Sequence, residues 1–350
     1  MKTLMKINKF FKYIIIIFEL ILLQNFLILF QKKIFNNNSN KINDIKQNLI
    51  KELYNNTKKN FTHINVLYIS GNGSRLGNFF ICVNNAIIFC EFLNCKKIII
   101  DSNKYLFINH AIFYQKYNFS IEPNQIFNYM DNNSIIINVG FFFYLNFTNI
   151  GNTNRLNILK KEFINNLPKI KTHNEDLFIY IRSGDIFSTL KRSIYTYSQP
   201  PLCFYQSILN KFKFRNVNII SENKLNPIIP ILLKNYSFIK YKRNNLKYDV
   251  AYIANSFNIV SAKSSFLTSI IKLNDKLQYL WEYDFCVISE KYRFLHYSVQ
   301  SFPYNYTIYK MEPSLAYKKF MYPWINSKQQ REIMIKDECM NYFYIIKPRF

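Results

Sequence analysis

The sequence predicts an α/β protein made of two Rossmann-like domains that face each other across a cleft. Short runs rich in β-branched and aromatic residues have the length of strands, and apolar stretches between them have the length of helices. Strands and helices alternate in both halves of the chain, which is typical of parallel sheets with crossover helices. With 350 residues, 49% of them hydrophobic, the chain is long enough to form two such cores.

The N-terminus predicts a membrane anchor. Residues 13–30 form an apolar stretch that is just long enough to cross a bilayer. More lysines precede the stretch than follow it, which predicts that residues 1–12 are cytosolic and that the body of the protein is luminal. No small-residue cleavage site follows, so we expect a single-pass type II signal anchor in the Golgi or ER membrane rather than a cleaved signal peptide.

The first half of the body predicts a βαβ unit. Residues 31–60 are polar and rich in asparagine and lysine, which is typical of a stem. Residues 61–170 are the predicted N-terminal Rossmann-like domain, with a glycine-rich turn at 71–78 between its first strand and its first helix. The predicted strands are 63–70, 97–101, 135–139 and 141–144, and the predicted helices are 79–94 and 153–167.

The second half repeats this alternation. Residues 171–285 are the predicted C-terminal Rossmann-like domain. Residues 286–350 form an aromatic extension with a helix near 327–340, and its role does not follow from the sequence. The predicted strands of the domain are 177–181, 216–221, 237–241 and 257–261, and its predicted helices are 201–212, 227–234, 248–255 and 264–273.

Composition excludes some partners. The formal net charge is +25, but the lysines are scattered among asparagines and isoleucines without a long basic run, so we predict no nucleic-acid partner. The six cysteines form no C-x-x-C pair, so we expect no zinc site. Some cysteines could pair in an oxidising lumen, whereas Cys82 and Cys90 on a helix are typical of buried thiols.

Two groups of residues at strand ends predict an anion site. Arg182 follows a buried strand at the place where open α/β sheets bind ligands, and its planar guanidinium suits a phosphate. The alternative is an ion pair between Arg182 and Asp185 that only holds a turn. Ser264 and Ser265 follow another strand and begin a helix, where they either bind an anion or cap the helix. Taken together, these groups predict a diphosphate site.

The glycine-rich turn suggests a second possibility. With Asp101 at the end of the next strand, the turn is similar to a dinucleotide-binding turn of an oxidoreductase. That function leaves Arg182 and the serine pair unexplained, so it is the weaker alternative. The chain contains no D-x-D triplet of the kind that holds a metal in many sugar-nucleotide transferases, so we expect neither a metal nor a cofactor.

Three separate motifs resemble those of the α1,2-fucosyltransferases and of the wider superfamily that includes α1,6- and protein-O-fucosyltransferases. They are GSRLGN at 73–78, FIYIRSGDIF at 178–187, and the stretch from Asp249 to Ser264, Ser265 and Phe266. The resemblance covers about residues 64–275. It implies a GT-B arrangement of two domains and an inverting, metal-independent transfer of fucose from GDP-fucose to a glycan or glycoprotein acceptor.

The resemblance also implies roles for the matching residues. Arg182 would bind the β-phosphate of GDP-fucose and neutralise the leaving GDP. Ser264 and Ser265 would bind the diphosphate beside Phe266, and Asp249 would meet the edge of the guanine.

Other positions concern the acceptor or depart from the family pattern. Arg75, Gly77 and Asn78 would line the acceptor side of the cleft. Among the positions at the donor, Tyr180 stands where the family usually has histidine, and Ser183 stands where the α1,2 enzymes have a second arginine.

The general base is not determined by the sequence. Asp185, Glu222 and Asp101 are all candidates for taking the proton of the acceptor hydroxyl. The departures at Tyr180 and Ser183 leave an alternative function open, a catalytically silent luminal protein of the same fold that binds glycans or acts as a scaffold.

Overall fold

Two β-sheets organise the part of the chain that the computed structural model describes. Both sheets lie in one compact unit from Ile64 to Phe350. The combination of mainly parallel strands with connecting helices confirms the predicted α/β class. The described residues are 66–70, 76–93, 95–101, 112–114, 119–124, 134–138, 160, 163–188, 198–242, 244–284, 305–339 and 342–347.

The first sheet has its first two strands as parallel neighbours, as the predicted βαβ unit requires. Its strands are β1 (Val66–Ser70), β2 (Lys97–Asp101), β3 (Ile112–Tyr114), β4 (Phe119–Asn124) and β5 (Ser134–Asn138). Their order is β3-β4-β2-β1-β5, and only the β3–β4 pair among them is antiparallel. Helix α1 (Leu76–Leu93) connects β1 to β2. Cys82 and Cys90 are buried in α1, which confirms the prediction of core thiols.

The second sheet contains the strand that ends at Arg182. Its strands are β6 (Asp176–Tyr180), β7 (Asn216–Ile220), β8 (Ile239–Lys242), β9 (Asn258–Ser261), β10 (Tyr279–Tyr283), β11 (Thr307–Met311) and β12 (Tyr344–Ile346). Their order is β12-β11-β10-β9-β6-β7-β8. Strand β12 runs antiparallel to β11, and the other pairs are parallel.

Helices cover both faces of this sheet. They are α2 (Leu202–Lys211), α3 (Ile228–Asn235), α4 (Leu246–Asn255), α5 (Ser265–Ile271), α6 (Leu315–Phe320) and α7 (Lys328–Lys336). Side chains alternate along β6, so Leu177 and Ile179 enter one core with residues of α2, α3 and α7. Phe178 packs instead against Tyr252 of α4, with ring centroids 5.3 Å apart.

Residues 305–339 and 342–347, which we call the C-terminal segment, belong to the second sheet and its core. Strands β11 and β12 extend the sheet beyond β10. A disulfide joins Cys203 at the start of α2 to Cys339 just after α7. The segment for which the sequence predicted no role therefore extends the second sheet and is covalently joined to α2.

The predicted signal anchor at 13–30, the stem, and the predicted strand at 141–144 lie outside the described residues. Among the residues that are described, no helix is both long and apolar enough to cross a bilayer. The anchor therefore stays a prediction.

Candidate functional site

The site lies where the order of the strands reverses within the second sheet. Strands β6, β7 and β8 follow one another on one side, and the chain then crosses to place β9 on the other side of β6. Because β7, β6 and β9 are parallel, their carboxyl ends share one edge. Such a reversal of strand order opens a crevice in which α/β proteins bind ligands. The segments after β6, β7 and β9 carry several of the residues that the sequence singled out, namely Arg182, Ser183, Asp185, Glu222 and Ser264.

Arg182 lies at this edge with its side chain only 8% exposed. Its Nη2 is 3.7 Å from Oδ1 of Asp185, a carboxylate that is itself 37% exposed. The predicted ion pair is therefore present. A guanidinium has five N–H donors, so a partner on one side is compatible with an anion on another. The arrangement provides a permanent positive charge in a largely desolvated place, where its electrostatic effect is strong.

Tyr180 connects Arg182 to the serine pair. Its hydroxyl is 3.4 Å from Oγ of Ser264, and its ring is 5.5 Å from that of Phe266. Burial raises the pKa of Tyr180, the charge of Arg182 opposes this rise, and the carboxylates of Glu222 and Asp249 add to it. Groups that follow β6 and β7, a group in α4 and the N-cap of α5 thus influence the pKa of one hydroxyl.

Ser264 has a structural task in addition to any binding role. Its Oγ accepts a hydrogen bond from the backbone N–H of Phe266 at 3.2 Å, so it is the N-cap of α5. Ser265 is the first residue of the helix. Both of the alternatives predicted for this pair remain compatible with the geometry, because a hydroxyl that accepts in a cap can still donate its own proton to an anion.

Ser183 supports the loop from inside. The residue is only 1% exposed. Its hydroxyl donates to Oδ1 of Asn223 at 2.6 Å and accepts from the backbone N–H of Asn226 at 3.0 Å. The side chain of Asn226 in turn donates to the carbonyl of Arg182. Ser183 therefore fixes the backbone beside Arg182. A contact of Ser183 with a donor stays a prediction.

A second carboxylate lies beside the turn that carries Asp185. Gly184 has a φ of +67°, in the left-handed region that glycine adopts without strain. A Cβ at this position would overlap the carboxylate of Glu222. Asp185 and Glu222 therefore flank one turn, and both of these candidate bases lie near Arg182. The side chain of Asp101 is not among those described.

Asp249 lies in the first turn of α4, close enough to influence Tyr180. Burial raises its pKa from 3.8 to about 7, and a hydrogen bond from Asn244 opposes the rise. Near neutral pH this group exchanges between a carboxylate, which only accepts, and a carboxylic acid, which also donates.

The glycine-rich turn of the first half reaches the serine pair of the second. The carbonyl of Gly77, at the start of α1, accepts a hydrogen bond from Ser269 of α5 at 3.1 Å. A Cβ on Gly77 would overlap the backbone of Phe266, so the two helices touch through main chain. Two motifs that are almost 190 residues apart in the sequence thus meet. Arg75 and the side chain of Asn78 lie outside the described residues.

One group of potential metal ligands occurs in the described part of the chain. It consists of Cys203, Asp337 and Cys339, whose ligand atoms lie within 4.8 Å of one another. The two sulfur atoms are joined in the disulfide, so the group does not offer a metal its thiolates.

Comparisons with known proteins leave the family open. No family model, curated protein or solved structure matches the chain. The resemblance to fucosyltransferases therefore rests on the three motifs alone.

Proposed function

We propose that the protein is an inverting, metal-independent glycosyltransferase that moves fucose from GDP-fucose to a glycan acceptor in the secretory pathway. The observation that carries the proposal is the largely buried Arg182 at a reversal of strand order, beside the serine pair that begins α5. A GT-B cleft between the two sheets, with the anchor at 13–30 in a Golgi or ER membrane, completes the proposal.

In this proposal Arg182 stabilises the leaving group. The bond between C1 of fucose and the β-phosphate oxygen breaks, and the electron pair stays on GDP. Since the charge on the phosphate grows toward the transition state, a fixed guanidinium lowers the barrier more than it strengthens ground-state binding. The hydroxyls of Ser264 and Ser265 donate to the same diphosphate.

The acceptor hydroxyl attacks C1 from the face opposite to GDP and gives its proton to a carboxylate. Asp185 and Glu222 both suit this task because they flank the turn next to Arg182. The guanine is held on the side of α4, where Asp249 as a carboxylate accepts hydrogen bonds from the ring N–H and amino group. The acceptor is held on the side of α1, near Gly77.

A second candidate is a catalytically silent protein of the same fold that binds glycans. Three contacts favour it: Arg182 is paired with Asp185, Ser264 caps its own helix, and Ser183 is used within the loop. In that case these groups stabilise the fold and bind no diphosphate.

Nucleotide binding separates the two functions. We expect GDP to raise the melting temperature, UDP and NAD to have no effect, and Arg182→Ala to abolish the GDP effect without changing the far-UV circular dichroism. The loss has a physical cause, since the mutant has no charge to pair with the diphosphate. Transfer from GDP-fucose should persist in EDTA. A shift with none of the nucleotides supports the silent protein, and a shift with NAD supports the oxidoreductase.

A further inference from the structure

The C-terminal segment contacts the turn that follows Arg182 through a row of side-chain donors. This turn, Gly184–Phe187, is a single 3-10 turn. The indole N–H of Trp324 donates to the carbonyl of Ile186 at 3.0 Å, and Nη2 of Arg331 donates to the carbonyl of Phe187 at 3.0 Å. The amide of Asn326 donates to the carbonyl of Ser188 at 2.9 Å. Three successive carbonyl groups are thus bound by one segment.

Further hydrogen bonds hold Asn326, Arg331 and the chain between them in place. Nε of Arg331 donates to Oδ1 of Asn326 at 2.8 Å, which orients the amide toward Ser188. Gln330 is buried, forms a capping box with Ser327, and donates to the carbonyl of Pro323 at 2.9 Å. A side chain held by hydrogen bonds on both sides loses little freedom when it binds a third group.

Packing supports the same contact. Trp324 is 1% exposed, and its ring meets that of Phe187 edge to face at 5.3 Å. Phe187 also lies under the guanidinium of Arg331, 5.9 Å from its ring centroid. The far end of the turn is therefore enclosed by the C-terminal segment, while its near end is fixed by Asn223 and Asn226 of the β7–α3 loop.

We propose that Trp324, Asn326 and Arg331 are positioning residues for the site and act through the turn on Asp185 and Arg182. Asp185 is the residue directly before Ile186, so a displacement of that carbonyl moves the carboxylate that faces the guanidinium. Misplacement of reacting groups by about 1 Å can reduce a rate about a hundredfold. The inference rests on the proposed function in one respect only, the choice of GDP as the ligand whose affinity measures the displacement.

The two tryptophans of the chain provide a matched pair of variants. Trp281 is also buried, at 2% exposure, and among the described residues its indole N–H has no hydrogen-bond acceptor. Trp281→Phe and Trp324→Phe therefore both lose indole volume in the core of the second sheet, but only Trp324→Phe loses a hydrogen bond to the turn.

The first measurement needs no nucleotide. Hydrogen exchange followed by mass spectrometry should show faster exchange in the peptide that contains 182–188 for Trp324→Phe than for Trp281→Phe at equal global stability. Equal exchange in the two variants would overturn the inference.

The second measurement is GDP affinity. We expect a loss of about five- to tenfold for Trp324→Phe, the effect of one lost hydrogen bond, and less than twofold for Trp281→Phe. Faster exchange with unchanged GDP affinity would overturn the positioning role. If the wild-type protein does not bind GDP, the proposed function fails, and the exchange measurement still decides whether the segment holds the turn.

A second pair covers the case in which Trp324→Phe does not fold. Arg331→Gln removes the donors to Phe187 and Asn326, whereas Lys328→Gln removes an equal charge from the same helix at a side chain that is 91% exposed. Only Arg331→Gln should speed exchange at 182–188 and weaken GDP binding, and Arg331→Lys should restore part of both. Equal effects of the two glutamine variants would contradict the inference.

Discussion

Asp249 combines partial burial with a carboxyl group whose pKa is raised to about 7. Because the folded state keeps this proton to a higher pH than the unfolded state, its contribution to stability is complete below about pH 4 and is lost as the pH rises through 7. Asp249→Asn remains neutral, so we expect it to be more stable than the wild type at pH 8 by on the order of 2 kcal/mol, with a smaller difference at pH 5. Urea unfolding at both pH values measures the difference.

Glu175→Gln is the control for this variant, since it removes a carboxylate of equal charge at an exposed position. If Asp249 meets the guanine, Asp249→Asn should also lose GDP binding while it gains stability. A variant that loses both stability and binding at pH 8 would show that the carboxylate is needed to hold the fold.

Single residues at strand ends were predictable because a polar or charged side chain directly follows an apolar run that predicts a strand. Arg182 follows an apolar run, and Ser264 follows another, so a parallel sheet brings the two to one edge. The supporting contacts of Asn223 and Asn226 could not be predicted in this way. Asparagine is common throughout this chain, and which asparagine accepts from or donates to the loop backbone depends on the loop conformation.

Helices α1 and α5 meet at a place where only glycine fits. A Cβ on Gly77 would overlap backbone atoms of Ser265 and Phe266, which cannot rotate away. Gly77→Ala gains up to about 1 kcal/mol of helix propensity, but overpacking against main chain costs about 1–3 kcal/mol or more. We therefore expect a net decrease in the free energy of unfolding, measured by denaturant titration.

Ser269→Ala is the matched control for the helix contact. It loses the hydrogen bond to the carbonyl of Gly77 without introducing an overlap, so its cost should be only about 1 kcal/mol. A Gly77→Ala protein as stable as the wild type would contradict the close contact between α1 and α5.

The elements at the centre of the second sheet were largely predictable, and the strands toward its β12 edge were not. Strand β6 was predicted within one residue, and α2 begins one residue after its predicted start. The sequence does not predict strands β10 and β11. Their aromatic residues, Trp281 and Tyr309 among them, stack on each other across the two strands. Such pairing is a property of the sheet and leaves little local signal in the sequence.

At the scale of the whole molecule, the disulfide between Cys203 and Cys339 joins residues that are 136 positions apart. We expect the double variant Cys203→Ser, Cys339→Ser to have a free energy of unfolding lower by about 2–4 kcal/mol, since the unfolded chain is no longer restricted by a long loop. Denaturant titration with and without dithiothreitol measures this effect. The reductant should destabilise the wild type and leave the double variant unchanged, and equal responses would contradict the pairing.

The contacts of the C-terminal segment also have a consequence for the order of folding during translation. Domains generally fold as units during translation, with the N-terminal part first. Here the turn next to Arg182 is enclosed by side chains that leave the ribosome about 140 residues later, and β12 (Tyr344–Ile346) follows these side chains in turn. A nascent chain that has passed Arg182 by a hundred residues therefore still lacks the donors to the carbonyls of Ile186 and Phe187, so residues 182–188 should become protected from hydrogen exchange only after Arg331 has emerged.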